Sequence, residues 1–148
     1  IFSSTVKNCV NYANVTSKQK CVGGIFGLAN SVAFKLENCE NRGEITGSMH
    51  VGGIFGRGIG KALSATDTYI KNCKNYANVK GTKNVTDKNY RVGGIGGSAE
   101  NIYIEDACVY EGVSLTYFVG TDETTVAITS LTKRFASTAP FVNVLFGY

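Results

Sequence analysis

The sequence predicts an all-β fold, a right-handed parallel β-helix or β-solenoid of about four coils with a C-terminal capping segment. Three observations predict it. First, Lys7-Asn8-Cys9-Val10-Asn11-Tyr12-Ala13-Asn14-Val15 returns as Lys71-Asn72-Cys73-Lys74-Asn75-Tyr76-Ala77-Asn78-Val79. Likewise Val22-Gly23-Gly24-Ile25-Phe26-Gly27 returns as Val51-Gly52-Gly53-Ile54-Phe55-Gly56 and as Val92-Gly93-Gly94-Ile95-Gly96-Gly97. A period of roughly 30 residues marks units too small to bury their own apolar faces, so neighbours must stack. Second, 18 glycines stand against one proline, which leaves nearly every amide able to join a sheet ladder. Third, small or apolar positions alternate with polar ones inside each unit, which is the period of a strand. No segment carries a sustained i, i+3, i+4 stripe with caps.

The first repeat, residues 4–33, reads Val6-x-Asn8-Cys9-x-Asn11-x-Ala13-x-Val15. It starts almost at once, after Ile1 to Thr5, with no room for an amino-terminal cap. Its outer edge is therefore expected to abut flanking repeats of a longer chain, or the next subunit of a head-to-tail assembly. The second repeat, residues 34–67, reads Leu36-x-Asn38-Cys39-x-Asn41-x-Gly43-x-Ile45 and ends in a polar insert from Arg57 to Thr68. The third, residues 68–102, reads Ile70-x-Asn72-Cys73-x-Asn75-x-Ala77-x-Val79 and holds a second insert from Thr82 to Arg91. Both inserts are predicted to be loops. The fourth, residues 103–116, is a degraded copy through Ile104-Glu105-Asp106-Ala107-Cys108-Val109-Tyr110, with Cys108 as anchor and Tyr110 in the place of the second asparagine. Divergence is expected of a terminal repeat.

With two or three strands per coil, equivalent residues stack about 4.8 Å apart. Cys9, Cys39, Cys73 and Cys108 then form one ladder, and Asn8, Asn38 and Asn72 another, each amide donating to one neighbour and accepting from the other. These ladders fix register, since a slip of one residue would expose the valines and isoleucines and bury the lysines. Residues 117–148 alternate at Thr125-Val126-Ala127-Ile128-Thr129 and then carry Phe135, Phe141, Val142, Leu145 and Phe146. That is too much apolar surface for a linker. The segment is expected to cap the stack or to insert into a neighbouring subunit as a donated strand.

A net charge of +4 with pI near 8.8 is mild, and the Lys and Arg residues are scattered, so no phosphate track for nucleic acid is expected. The longest apolar runs, such as Phe141 to Phe146, are too short to span a membrane. Five cysteines include no C-x-x-C pair and His50 is the single histidine, so no metal site and no cofactor is expected. The stacking distance permits disulfides along the cysteine ladder, but parallel side chains favour a buried, reduced row. Cys21 lies off that ladder. The Gly-Gly-x-x-Gly element lacks the Lys-Ser/Thr of a phosphate loop; its glycines serve corners where a side chain would collide with the coil above.

For catalysis the candidate carboxylates are Asp67, Asp87, Asp106, Glu37, Glu40 and Glu44, and nothing in their spacing sets two of them across a scissile bond. Every Ser-His or Cys-His arrangement would depend on His50. The chain is therefore read as no enzyme, with a polysaccharide-cleaving β-helix as the alternative. Tyr12, Arg42 and Tyr76 share one place in their units. This row is either plain cross-strand packing or a binding face for glycans or a cell-surface protein. Two sequons, at Asn14 and Asn84, are what composition alone would produce. Asn84, in a predicted loop, is the better glycan site in a eukaryotic secreted protein.

The Asn-Cys-x-Asn-x-Gly/Ala-x-Val segment followed by Val-Gly-Gly-Ile-x-Gly resembles the GLUG-type repeats of secreted and surface-anchored proteins, among them bacterial adhesin-like proteins and IgA-cleaving peptidases. The likeness covers roughly residues 4 to 115. It implies an extracellular or cell-surface, repetitive scaffold or adhesive module, with no set catalytic residues. A filament subunit stacking on itself is one form that module could take.

Overall fold

The computed structural model describes residues 3–30, 33–60, 68–84, 92–119, 122–127 and 135–137. Among them every regular element is a strand. The first repeat contributes β1 (Ser3–Lys7), β2 (Val10–Asn11), β3 (Val15–Thr16) and β4 (Phe26–Asn30). The second contributes β5 (Ala33–Glu37), β6 (Glu40–Asn41), β7 (Ile45–Gly47), β8 (Val51–Gly52) and β9 (Phe55–Ile59). The third contributes β10 (Tyr69–Lys71), β11 (Lys74–Asn75), β12 (Val79–Asn84), β13 (Val92–Gly93) and β14 (Gly96–Glu100). The fourth contributes β15 (Tyr103–Val109) and β16 (Ser114–Val119), and the tail adds β17 (Asp122–Ala127) and β18 (Phe135–Ser137). The strands are shorter and more numerous than two or three per repeat.

Pairing between successive repeats is parallel and in register. Val6, Leu36, Ile70 and Ile104 share a level across β1, β5, β10 and β15. Asn11, Asn41, Asn75 and Val109 share another, and Val15, Ile45, Val79 and Leu115 a third. Phe26 and Phe55 lie level with Gly96 on β4, β9 and β14, and Val22 lies level with Val51 and Val92. The tail reverses direction: β17 runs antiparallel along β16, and β18 antiparallel along β15.

Bends separate the strands. Asn8, Asn38, Asn72 and Asp106 have φ of 56°, 54°, 50° and 51°, a left-handed conformation that Asn and Asp tolerate better than other residues with a side chain. The repeated asparagine thus turns the chain between β1 and β2, and again between their counterparts.

The inward residues form a continuous core. Leu36, Ile45, Ile54, Phe55, Ile70, Val79, Ile95, Ile104 and Leu115 are fully buried, each worth about 1.5–3 kcal/mol relative to exposure. Their counterparts in the first repeat, Val6, Val15, Ile25 and Phe26, are only partly buried. Phe26 stacks on Phe55 with ring centroids 5.2 Å apart. That aromatic stack stops in the third repeat, where a Cβ on Gly96 would lie 2.2 Å from the Phe55 ring.

The two sequence motifs explain one another across this core. A Cβ on Gly24 would lie 2.5 Å from Asn41 Oδ1, one on Gly53 2.3 Å from Asn75 Cγ, and one on Gly94 2.4 Å from Val109 Cγ2. The second glycine of each Val-Gly-Gly therefore makes room for the inward residue of the next Asn-Cys-x-Asn unit. No side chain larger than hydrogen fits there.

Five sequence expectations are corrected. Lys71 is level with Glu105 and Lys74 with Cys108, so the residue level with Cys73 is Ala107 and Cys108 lies one place off the cysteine ladder. For the same reason Val109, not Tyr110, stands where the second asparagine would be. The bend is set by the residue that accepts positive φ, here Asp106, and the sulfur is no guide to it. The insert expected to begin at Arg57 begins later, because β9 runs to Ile59, and residues 61–67 lie outside the described residues. Thr82 to Asn84 likewise extend β12 instead of opening a loop, and β16 crosses the boundary expected at residue 116.

Candidate functional site

The asparagines form two ladders of opposite polarity. In the outer one, Asn72 Nδ2 donates to Asn38 Oδ1 at 2.8 Å and Asn38 Nδ2 to Asn8 Oδ1 at 3.2 Å. In the inner one, which sequence reasoning missed, Asn11 Nδ2 donates to Asn41 Oδ1 and Asn41 Nδ2 to Asn75 Oδ1, both at 2.9 Å. Each inner amide also donates to a carbonyl two residues on, those of Ala13, Gly43 and Ala77 at 2.8, 2.8 and 2.9 Å. Asn41 and Asn75 are completely buried, so the ladder satisfies polar groups that water does not reach. The signal was present in the sequence: a second asparagine followed at i+2 by Ala or Gly in three repeats.

The five cysteines, all described, form no disulfide. Cys9, Cys39 and Cys73 each donate a thiol hydrogen bond to the carbonyl two residues back, at 3.4, 3.3 and 3.4 Å. The hydrogen bond to the Cys39 sulfur, and then burial, raise the Cys73 thiol far above its ordinary range. Burial likewise raises Cys21, against the opposing pull of Arg57 and Lys20.

Two rows of side chains line the outer surface. Lys7, Glu37, Lys71 and Glu105 lie level and alternate in sign, with ion pairs of 3.4 Å between Lys7 and Glu37 and 3.7 Å between Lys71 and Glu105. The Tyr69 hydroxyl donates to the Glu37 carboxylate, which holds Glu37 below the usual carboxylate range and pushes Tyr69 up. The second row is Tyr12, Arg42, Tyr76 and also Tyr110, the last overlooked because the fourth repeat was placed one residue out of register. Glu40 Oε2 accepts from Arg42 Nε at 3.1 Å and Nη2 at 2.9 Å. The guanidinium carbon lies 4.2 Å from the Tyr76 ring centroid, and Tyr76 stacks on Tyr110 at 4.1 Å with a 17° interplanar angle. The neighbouring Tyr110 hydroxyl, and then burial, push the Tyr76 hydroxyl up to about 12. With a cation near its ring and a second ring stacked on it, Tyr76 has little face left for a sugar. Tyr12, 75% exposed, keeps the most open ring of the row.

The other candidates are dispersed. Glu37 and Glu40 are ion-paired, Glu44 is exposed, Asp106 holds a bend, and Asp67 and Asp87 lie outside the described residues. His50 is buried, has φ of 51°, and occupies the place that Cys21, with φ of 62°, holds one repeat earlier. Asn14 is exposed and its Oδ1 accepts from the Glu44 amide at 2.9 Å, whereas Asn84 closes β12. Among the described residues, no three His, Cys, Asp or Glu side chains converge on a metal-sized point, and no helix is long and apolar enough to cross a membrane. A cavity of about 330 Å³ opens beside the first repeat, lined by Val6, Phe26, Leu28, Phe34 and Leu36 among others. Comparison with protein-family models, curated proteins and solved structures finds no match.

Proposed function

We propose that the chain is a non-enzymatic structural or adhesive module of the extracellular space or cell surface, folded as a right-handed β-solenoid of about four coils with its tail as cap. The observation that carries it is the unbroken register of parallel pairs from β1 to β15, locked by two asparagine ladders. Such a stack is rigid along one axis and uses its side chains on each other. Glu37 and Glu40, the acids that a hydrolase would employ, are engaged by Lys7, Tyr69 and Arg42. The likeness to GLUG-type repeats supports the extracellular placement. Its partners are flanking repeats, further copies in a filament where the tail does not cover the fourth repeat, or glycans and proteins of a cell surface.

The test has two arms. Site-resolved hydrogen exchange should show the Glu40, Lys74 and Cys108 amides, which join successive repeats, protected together, and incubation with acidic polysaccharides should release no reducing ends above buffer. Release that disappears in the Glu37→Gln or Glu40→Gln chain would establish the polysaccharide-cleaving alternative instead. Free exchange at those amides would remove the solenoid.

A further inference from the structure

We propose that the outer edge of the first repeat is built to receive one further repeat of the same kind, stacked in parallel and carrying asparagines level with Asn8 and Asn11. The inference rests on the solenoid reading and adds to it which face is extended and what fits there.

The backbone sets the direction. Glu40 and Arg42 amides donate to Cys9 and Asn11 carbonyls at 2.9 and 2.8 Å, Lys74 and Tyr76 to Cys39 and Asn41 at 2.9 Å each, and Cys108 and Tyr110 to Cys73 and Asn75 at 2.9 and 3.0 Å. Val10 and Tyr12 stand at these same levels. Their amides face away from the second repeat, with no acceptor among the described residues. An exposed run of strand amides is a template for another strand.

The side chains say which strand. Because the two asparagine ladders run in opposite directions, the edge presents one unused half of each. Asn8 Oδ1 accepts from Asn38 while its Nδ2 has no acceptor among the described residues. Asn11 Nδ2 already donates to Asn41 and Ala13, while its Oδ1 accepts only from the Ala13 amide. An incoming chain must therefore offer an acceptor at the first level and a donor three residues on, both of which Asn-x-x-Asn supplies. The charge row ends in Lys7, so continued alternation asks for an acid beside it. Apolar surface matches as well: Val10 is 41% and Leu28 54% exposed, and the first repeat supplies Val6, Phe26 and Leu28 to the lining of the 330 Å³ cavity.

A second copy does not supply this repeat head to tail. The edges its fourth repeat would offer, β15 and β16, already carry β18 and β17. The occupant is a preceding repeat.

A copy of residues 31–60 grafted ahead of Ile1 in the full chain tests this by site-resolved hydrogen exchange. Val10 and Tyr12 amides should exchange at least tenfold more slowly than in the unextended chain, and the thermal midpoint should rise by roughly 5 °C. A graft carrying Asn38→Ala and Asn41→Ala in the copied repeat should lose most of both gains. Unchanged exchange at Val10 and Tyr12 overturns the proposal. So does protection of these amides in the unextended chain that grows with protein concentration, which would make a second copy the occupant. Glu40, Lys74 and Cys108 amides separate the two readings: if they are protected without the graft, the stack stands even where the docking fails, and if they exchange freely both fall together.

Discussion

At the scale of single residues, the inner asparagines carry more of the fold than the outer ones. Asn41 is sealed from water and bonded to Asn11, Asn75 and the Gly43 carbonyl. Removing its amide strands several buried partners, so Asn41→Ala should cost about 2–4 kcal/mol in urea unfolding. Asn38→Gly, which keeps the positive φ and loses only exposed hydrogen bonds, should cost less than about 1 kcal/mol. Ionisation adds a second residue-level expectation. Glu37 is depressed by Tyr69 and Lys7, so its contribution is present above its unfolded value of 4.5 and is lost as pH falls. Stability should therefore fall as pH drops below that value. Glu37→Gln should flatten the acid side. At pH 8, a thiol reagent should modify exposed Cys9 in the native chain and reach buried Cys39 and Cys73 only after unfolding.

At the scale of elements, register and spacing are coupled through the glycines. Gly94 is the cleanest site to measure, since the atoms nearest a Cβ there all belong to the Val109 side chain. Gly94→Ala alone should destabilise by about 1–3 kcal/mol through overpacking, and Val109→Ala alone by about 1–3 kcal/mol through lost burial. Together they should be at least about 1 kcal/mol less damaging than their sum. Additive effects would show that the two motifs do not meet there. Much of this level was legible in the sequence. The level placement of Asn8, Asn38 and Asn72 and of Cys9, Cys39 and Cys73 followed from period alone, because identical residues recurred at fixed offsets. The fourth repeat was misread by one place because a cysteine was treated as the anchor, whereas backbone conformation chose Asp106. Tyr110, level with Tyr76, was the sequence signal that would have corrected it. The pairing of Val-Gly-Gly with the buried asparagines was not legible, since it joins segments that meet only across the core.

At the scale of the whole molecule, the two ends are unlike, and this governs whether copies join. The first repeat shows open strand edges ending in Lys7, while the fourth ends in Glu105 beneath antiparallel strands of the tail. With the tail gone, a stacked pair would set Glu105 of one copy beside Lys7 of the next and Asp106 beside Asn8, so the alternation of charge would continue across the joint. On the proposed reading the tail would block an open heterologous assembly of the full chain. A chain ending at Val119 should accordingly form concentration-dependent oligomers by sedimentation velocity between about 1 and 100 µM, a range that reports association energies of about 5.5–8 kcal/mol. The full chain should remain a single species. Reversing the charge at one end, Lys7→Glu in the shortened chain, should weaken its assembly, and the effect should shrink as salt is raised. If the shortened chain stays monomeric while its inner amides remain protected, the tail is not what holds copies apart, and the filament form of the proposed module loses its physical basis.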